Sequence, residues 1–293
     1  MNLLRSGGAI AVVCLATALV SAEDSTRRVF VRVQTVNGSP VTTLAAADFH
    51  VRENGVERPI KRAGLANGPM RILLLVDAST TMGPMLTDFR RALHEFADTL
   101  PDGHEVAFIS VSGQLRVRTE PTADRDALQQ AISLFASDGG ANVLIDALFE
   151  ADRRFLRTAP DRWPVIVLVT TDSVAQRRNA LFDQFDAFTR NLIERAGTAH
   201  SIVIRGRNAT GLNTEIARSL AQNTGGIFEQ VAISNSLHDH MRKIAERIAA
   251  DHEAMANTYE VEWESGANAD RPNIDVSVAR ERSRLSISLH RPF

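Results

Sequence analysis

Cysteine and lysine are among the scarcest residues of this 293-residue chain. Its single cysteine, Cys14, lies in an N-terminal apolar run, so the rest of the chain has neither a disulfide framework nor a cysteine nucleophile. Among 33 basic residues only Lys61 and Lys243 are lysines, and any mechanism that needs a lysine must use one of these two. Basic charge is not in excess either. The 33 Lys+Arg against 35 Asp+Glu leave a formal charge of −2, which argues against a nucleic-acid binder. No GxxxxGK[ST] is present, which removes a phosphate-binding P-loop, and no GxSxG, which leaves a hydrolase nucleophile elbow without support. Beyond the N-terminus no stretch approaches the ~18 consecutive apolar residues of a membrane-spanning helix. Internal repeats and low-complexity linkers are lacking too.

What is present begins with a targeting segment. Residues 1–22 read MNLLRSGGAIAVVCLATALVSA, with Arg5 as a short positive region and an apolar stretch over 9–20. That stretch is shorter than the about 20 residues needed to span a bilayer core. Val20, Ser21 and Ala22 form a small-residue cleavage signal, and Glu23, Asp24 and Ser25 open a polar chain. Val13, before the cysteine, is not the small residue that lipid attachment wants. The expectation is a cleaved signal peptide, a periplasmic or secreted protein, and no membrane span after cleavage.

The remaining chain divides by texture. Residues 28–35 alternate polar and apolar side chains as a half-buried strand does. Residues 47–53 form another strand, closed by the hairpin signal Asn54-Gly55. At residue 71 solid apolar runs begin, ILLLV at 72–76 and PVIVLVTTD at 164–172, as expected of strands buried on both faces. Helical periodicity follows each, with Phe89, Leu93, Phe96 and Leu100 on one face, and further helices over 124–137, 142–156, 181–196, 213–223 and 237–252. Strands at 105–112, 114–120, 200–205 and 227–232 alternate with them. The tail returns to period-2 alternation at 259–263, 274–278 and 285–289. The fold class is therefore α/β, a Rossmann-like doubly wound, mostly parallel sheet with N- and C-terminal β extensions. The division is a signal peptide at 1–22, an N-terminal β segment at 23–67, the α/β domain at 68–252 and a C-terminal β segment at 253–293.

In such a sheet ligands bind at the carboxyl ends of the strands. Asp77, Ser79 and Thr81 follow the first buried strand, Thr170, Thr171, Asp172 and Ser173 end the second, and Gly139-Gly140-Ala141-Asn142 enters a helix between them. These loops offer two carboxylates, several hydroxyls and an amide, without nitrogen or sulfur ligands. An all-oxygen set suits a hard divalent cation, Mg²⁺ first and Ca²⁺ or Mn²⁺ next. In an extended turn residues two apart point the same way, so the oxygens of Asp77, Ser79 and Thr81 converge. The competing reading is a helix cap or turn, common for these residue types at a strand end.

The order DxSxT after an apolar strand, a GG loop entering a helix, and an apolar strand ending in Thr-Asp resembles the von Willebrand factor A domain. The chain as a whole resembles the bacterial exported VWFA-related proteins, which open with a β segment like residues 28–56 and close with a β tail beginning like residues 259–263. The likeness covers about residues 28–290. It implies a metal-ion-dependent adhesion site with hydroxyl ligands from Ser79 and Thr81 and carboxylates from Asp77 and Asp172, partly through water. The resemblance further implies that an acidic residue of a partner protein fills the open position. Three departures stand out: Thr81 where serine is usual, Ala141-Asn142 where a threonine is expected, and Ser173 where glycine follows the aspartate. Asn142 can replace the missing hydroxyl with its amide oxygen.

The resulting expectation is an exported, non-enzymatic protein-binding module with a partly degenerate metal site at Asp77, Ser79, Thr81, Asn142 and Asp172. Its alternatives are a metal-free structural or assembly subunit with a decayed site, and a hydrolase without a recognisable nucleophile. A phosphoryl-accepting Asp77 is disfavoured, because Ser79 stands where phosphatases want a second aspartate, and the lysines lie before the first sheet strand and on the last helix rather than at a later strand end. His238 and His240, two apart on a helix, face away from each other and read as solvated surface. Arg177 and Arg178 read as a solvated loop, and Trp163, Trp263, Phe89, Phe96 and Phe135 as packing residues. The sequons at Asn37 and Asn208 matter only in a eukaryotic host.

Overall fold

The computed structural model describes residues 25–172, 182–206, 211–266, 272–280 and 282–292. The signal segment at 1–22, Ser173, Arg177, Arg178 and the Asn208 sequon lie outside the described residues.

The described chain opens with β1 (Ser25–Thr35), β2 (Phe49–Glu53), β3 (Val56–Arg58) and β4 (Ile60–Leu65). β2 and β3 form the hairpin announced by Asn54-Gly55, whose φ values of 53° and 81° are the positive angles a two-residue turn of this hand requires. Strands and helices then alternate through β5 (Met70–Asp77), α1 (Leu86–Thr99), β6 (Glu105–Val111), β7 (Leu115–Thr122), α2 (Arg125–Ser133) and α3 (Leu144–Ala151). They continue with β8 (Trp163–Asp172), α4 (Phe182–Glu194), β9 (Thr198–Arg205), α5 (Leu212–Thr224), β10 (Phe228–Val231) and α6 (Leu237–Ala256). The tail supplies β11 (Tyr259–Ser265), β12 (Ile274–Val278) and β13 (Ser283–Ser288).

The central sheet has the order β10-β9-β8-β5-β6-β7, parallel except for β7 at one edge. The solid apolar run of β5 is explained by cores on both faces. Ile72, Leu74 and Val76 pack with Phe89, Phe96, Ile132 and Ile244 of α1, α2 and α6. Leu73 and Leu75 pack with Leu148, Phe188, Leu192 and Leu220 of α3, α4 and α5. Each such side chain contributes roughly 1.5–3 kcal/mol by leaving water.

The terminal β segments share a core of their own. β1 lies between β13 and β11 in a four-stranded antiparallel sheet, β13-β1-β11-β4, and β12 joins the β2–β3 hairpin in a second, three-stranded sheet. Val29, Val31 and Val33 of β1 meet Tyr259, Val261, Trp263 and Val276 between these two layers. β1 buries Val29, Val31 and Val33 on one face as its alternation implies, with one exception on the other. Phe30 points the other way and meets Trp163 edge-on, with ring centroids 5.8 Å apart. Beside it Arg28 donates to Glu260 Oε1 at 2.9 Å and to the Glu194 carbonyl at 2.5 Å, tying the β layers to the α/β unit. The layers stack on the amino-terminal end of the central sheet, which leaves its carboxyl end open.

Among the helix bounds that differ from the sequence reading, two border the carboxyl end of the sheet. α2 stops at Ser133, with Leu134 as its C-cap, so residues 134–143 form a long loop across the carboxyl end of the sheet. α3 starts at Leu144, because the Asn142 side chain is engaged with neighbouring strand ends. Phe89, Phe96, Phe135 and Trp263 are buried as packing residues, and His238 lies at the surface against Arg91 and the Asn235 carbonyl.

Candidate metal centre

β5 and β8 lie side by side and deliver Asp77 and the Thr171-Asp172 pair to the same end of the sheet. Asp77 is 1% exposed and accepts hydrogen bonds at both oxygens. Oδ1 takes the Ser79 N–H at 2.7 Å. Oδ2 takes the Thr171 N–H at 3.0 Å, Asn142 Nδ2 at 3.0 Å and the Thr171 hydroxyl. One carboxylate thus fastens all three strand-end loops together.

The loop after Asp77 is not the extended turn its spacing implies. It curls, with the Met82 N–H donating to the Ser79 carbonyl at 3.1 Å, because Met82 is drawn into the core. Ser79 is consequently buried while Thr81 is half-exposed at the lip of a cleft. Asn142 gives its amide nitrogen to Thr170 Oγ1 at 2.7 Å as well as to Asp77. That orientation is fixed chemically, since the flipped amide would set oxygen against a carboxylate. Asp172 accepts from Thr214 Oγ1 at 2.6 Å through Oδ2 alone.

The glycine loop is braced from behind. Asp138 binds Arg116 and Arg118 at 2.6 Å each and Ser110 at 2.7 Å, and its N–H donates to the Ala78 carbonyl at 2.8 Å. Gly140 has φ +76°, and a Cβ there would meet the Gly113 nitrogen at 3.2 Å, so both conformation and space call for glycine. Its carbonyl accepts the Thr80 N–H at 3.3 Å.

Three buried oxygens around these loops have no hydrogen-bond partner: Ser79 Oγ, Asn142 Oδ1 and Asp172 Oδ1. Buried polar atoms are almost always paired, and an unpaired hydroxyl, amide oxygen and carboxylate oxygen at neighbouring strand ends fit a hard cation. Asp77, with four donors already, fits an anchoring role and contact through water. Among the described residues no three His, Cys, Asp or Glu side chains cluster, so the set has no more than two carboxylates. Of the five residues singled out in the sequence, Asp77, Ser79 and Asn142 are joined directly, Asp172 adjoins them through Thr171, and Thr81 stands at the cleft. The supporting roles of Thr170, Thr171 and Thr214 went unread. The first two sit in the quoted strand end, whereas Thr214 on α5 carries no local signal.

A cleft of about 830 Å³ opens beside Ser79, running past Thr81 and Ala141 to Ile233 and Asn235. No helix among the described residues is long and apolar enough to cross a membrane.

The family model of the von Willebrand factor type A domain matches residues 72–175, the span that holds all five site residues. Among solved structures, a von Willebrand factor type A protein from Catenulispora acidiphila shares the fold at a TM-score of 0.55. Its identity is 12%, over 91% of this chain and 74% of that one. BatB from Bacteroides thetaiotaomicron has a TM-score of 0.49 and 18% identity, over 62% of this chain and 99% of that one. Proximal thread matrix protein 1 from the mussel byssus, with a zinc-occupied MIDAS motif, has a TM-score of 0.48 and 13% identity, over 73% and 50% of the two chains. No curated protein matches the chain. Von Willebrand A domains generally mediate protein interactions and are typically non-enzymatic. The sheet order, the strand-end loops and the matched family model together place a von Willebrand factor type A domain at residues 72–175, within a fold that takes additional strands from both termini.

Proposed function

We propose that the protein is an exported, non-enzymatic protein-binding module whose contact face is the carboxyl end of the central sheet, with a divalent cation at its centre. The observation that carries this reading is the trio of buried, unpartnered oxygens on Ser79, Asn142 and Asp172. Ser79, Thr81, Asn142 and Asp172 hold the ion, and Asp77 orients the loops. Mg²⁺ is the first choice over Ca²⁺ or Mn²⁺, because it is content with one or two carboxylates and keeps several waters. When bound, the ion supplies a positive charge that recognises an acidic residue of the partner protein. Residues 68–252 carry this face, 23–67 and 253–293 brace its far end, and 1–22 direct export.

Thermal unfolding in EDTA, Mg²⁺, Ca²⁺ or Mn²⁺ tests the reading. A cation at about 100 times its dissociation constant stabilises by roughly 2.7 kcal/mol, or about 5–10 °C for a domain of this size. The shift should vanish in Asp172→Asn. A second reading, a metal-free assembly subunit, is favoured by the saturation of Asp77 with protein donors and by the missing hydroxyl at Ala141. It requires no shift with any ion, and partner association that ignores EDTA.

A further inference from the structure

Among the described residues the three sheets end in six edge strands, and five of them are blunted. β7 pairs irregularly with β6 and carries Glu120 and Pro121. β4 carries Lys61 and Arg62 and a bulge against β11. β3 and β10 have only three and four residues, with Glu57 and Arg58 in one and Glu229 in the other. β12 places Asp275 among its five residues. Such devices stop an unpaired row of N–H and C=O groups from recruiting another chain. β13 lacks them over most of its length. It pairs with β1 in unbroken register from Ser283 to Ser288, and Leu-Ser-Ile-Ser-Leu at 285–289 holds no charge, proline or glycine. Its other edge has no strand partner among the described residues. Leu285 and Ile287 lie opposite Val33 and Val31, which are buried between the β layers. Residues directly opposite in an antiparallel pair share a face, so this apolar stripe points inward. Leu285 packs against that core, yet Ile287 is 44% exposed and Leu289, just past the strand, 48%. The core is thus uncovered along β13.

We propose that β13 pairs antiparallel with β13 of a second copy, about a two-fold axis at Ser286, so that the two four-stranded sheets become one. This register uses only residues within the strand. On the inner face it sets Leu285 against Ile287 twice. On the outer face it sets Ser286 against itself and Arg284 against Ser288, so no two charges of one sign are opposed. Charge selects the antiparallel direction as well. Arg280, Arg282 and Arg284 all precede the uncharged run, so antiparallel pairing carries the two basic groups to opposite ends of the contact, whereas parallel pairing would put them side by side. A contact of this kind is self-complementary and closes at two copies. The β layers lie at the amino-terminal end of the central sheet, so both carboxyl ends stay open and the dimer offers two contact faces to a partner. The inference does not depend on a cation at either.

Sedimentation equilibrium of the full chain, with Cys14→Ser in every sample, tests it. One strand pair is a small interface, so the dissociation constant should fall at roughly 10–100 µM. Ile287→Lys, a substitution of an exposed side chain, should raise that constant at least about tenfold and leave the Tm of dilute protein unchanged. Oxidative cross-linking tests the register. The two-fold axis brings residue 286 of the two copies about 5 Å apart, so Ser286→Cys should yield disulfide-linked dimers. Arg284→Cys, an exposed position on the same face but about 14 Å from its own copy, should not. A chain that stays monomeric at about 500 µM, or a dimer indifferent to Ile287→Lys, overturns the proposal. Cross-linking through Arg284→Cys in place of Ser286→Cys overturns the pairing about Ser286.

Discussion

Glu53, in the β layers, and Asp172, at the carboxyl end of β8, are both shielded from water, at 0% and 2% exposure. They are held in opposite ways. Glu53 receives the Ser265 hydroxyl at 2.7 Å and the Gly266 N–H at 3.1 Å, with Arg27 and Arg58 at 3.6 and 3.2 Å. Burial pushes its carboxyl up, but these hydrogen bonds and charges outweigh it and hold the group below the usual carboxylate range. Buried Asp152 and Asp138 likewise each have two arginines. Asp172 has one hydroxyl on one oxygen, and its other oxygen is the one carboxylate oxygen among the described residues buried with no partner. A fold that pairs its structural carboxylates so thoroughly leaves this one open at the cost of desolvation. Buried acids therefore differ here in pairing rather than burial; on the proposed function the unpaired one is directed at a ligand, and each prediction below tests that difference.

The largest expected effect is at the braced end. Trp263 is 1% exposed between the two β layers. Trp263→Ala should cost about 3–5 kcal/mol in denaturant unfolding, the usual range for a buried aromatic. The increment from Mg²⁺ should be unchanged, since the substitution lies at the opposite end of the sheet. Loss of the metal response together with stability would show that the two ends are not separable.

Next comes a contrast within the site. Asp77→Ala removes the acceptor for Ser79, Asn142 and Thr171 at once and should cost about 3 kcal/mol even in EDTA, because buried donors are left unpaired. Asp172→Asn should change stability in EDTA by less than about 1 kcal/mol and abolish the cation response. Asp77 is therefore the wrong residue for a clean knockout of binding. The opposite ranking in EDTA would refute the division into anchor and ligand.

Acid should act on the braced end as well. Burial, then the charges of His252 and Arg125, push His104 down to about 4, and burial with Arg247 pushes His200 down to about 3. Each accepts a backbone N–H at Nδ1, from Met70 at 3.3 Å and Ile227 at 3.1 Å. Both stay neutral when folded, whereas the unfolded chain takes up protons near ~6.5. The stability they confer is present above that value and lost as pH falls toward about 4 and about 3. Glu53 acts in the same direction below the carboxylate range. The slope should approach roughly 1.4 kcal/mol per pH unit for each histidine. Tm measured from pH 7 to 4 should fall, and His104→Gln should flatten the curve.

Much of this was legible in residues whose signal is local. The runs at 72–76 and 164–172 announced doubly covered strands, and Asn54-Gly55 announced its hairpin. What the sequence concealed depends on partners far along the chain. Phe30 sits on the more open face of an amphipathic strand, and only its meeting with Trp163 accounts for its burial. Asn142 reads as helix but precedes α3, with its nitrogen held by Asp77 and Thr170 and its amide oxygen left without a hydrogen-bond partner. The curl that separates Ser79 from Thr81 comes from Met82 entering the core. The chemistry of the strand ends was readable, while the division of labour among them required three-dimensional proximity.

The smallest expected effect bears on the open end alone. Ala141 is exposed at the cleft rim, three residues before the first residue of α3, so a β-branched side chain there incurs no helical cost. Ala141→Thr adds a hydroxyl to the same rim without disturbing the Asn142 amide or the Asp77 anchor. Stability in EDTA should stay within about 0.5 kcal/mol of the parent, as for a surface substitution away from special features. Mg²⁺ affinity, read from the concentration dependence of Tm, should rise about three- to tenfold, which corresponds to roughly 0.7–1.4 kcal/mol. An increase in EDTA stability with no gain in Mg²⁺ affinity would mean that the added hydroxyl pairs within the protein. The open end would then follow the same pairing rule as Glu53, and the contrast between the two ends would narrow to Asp172 itself.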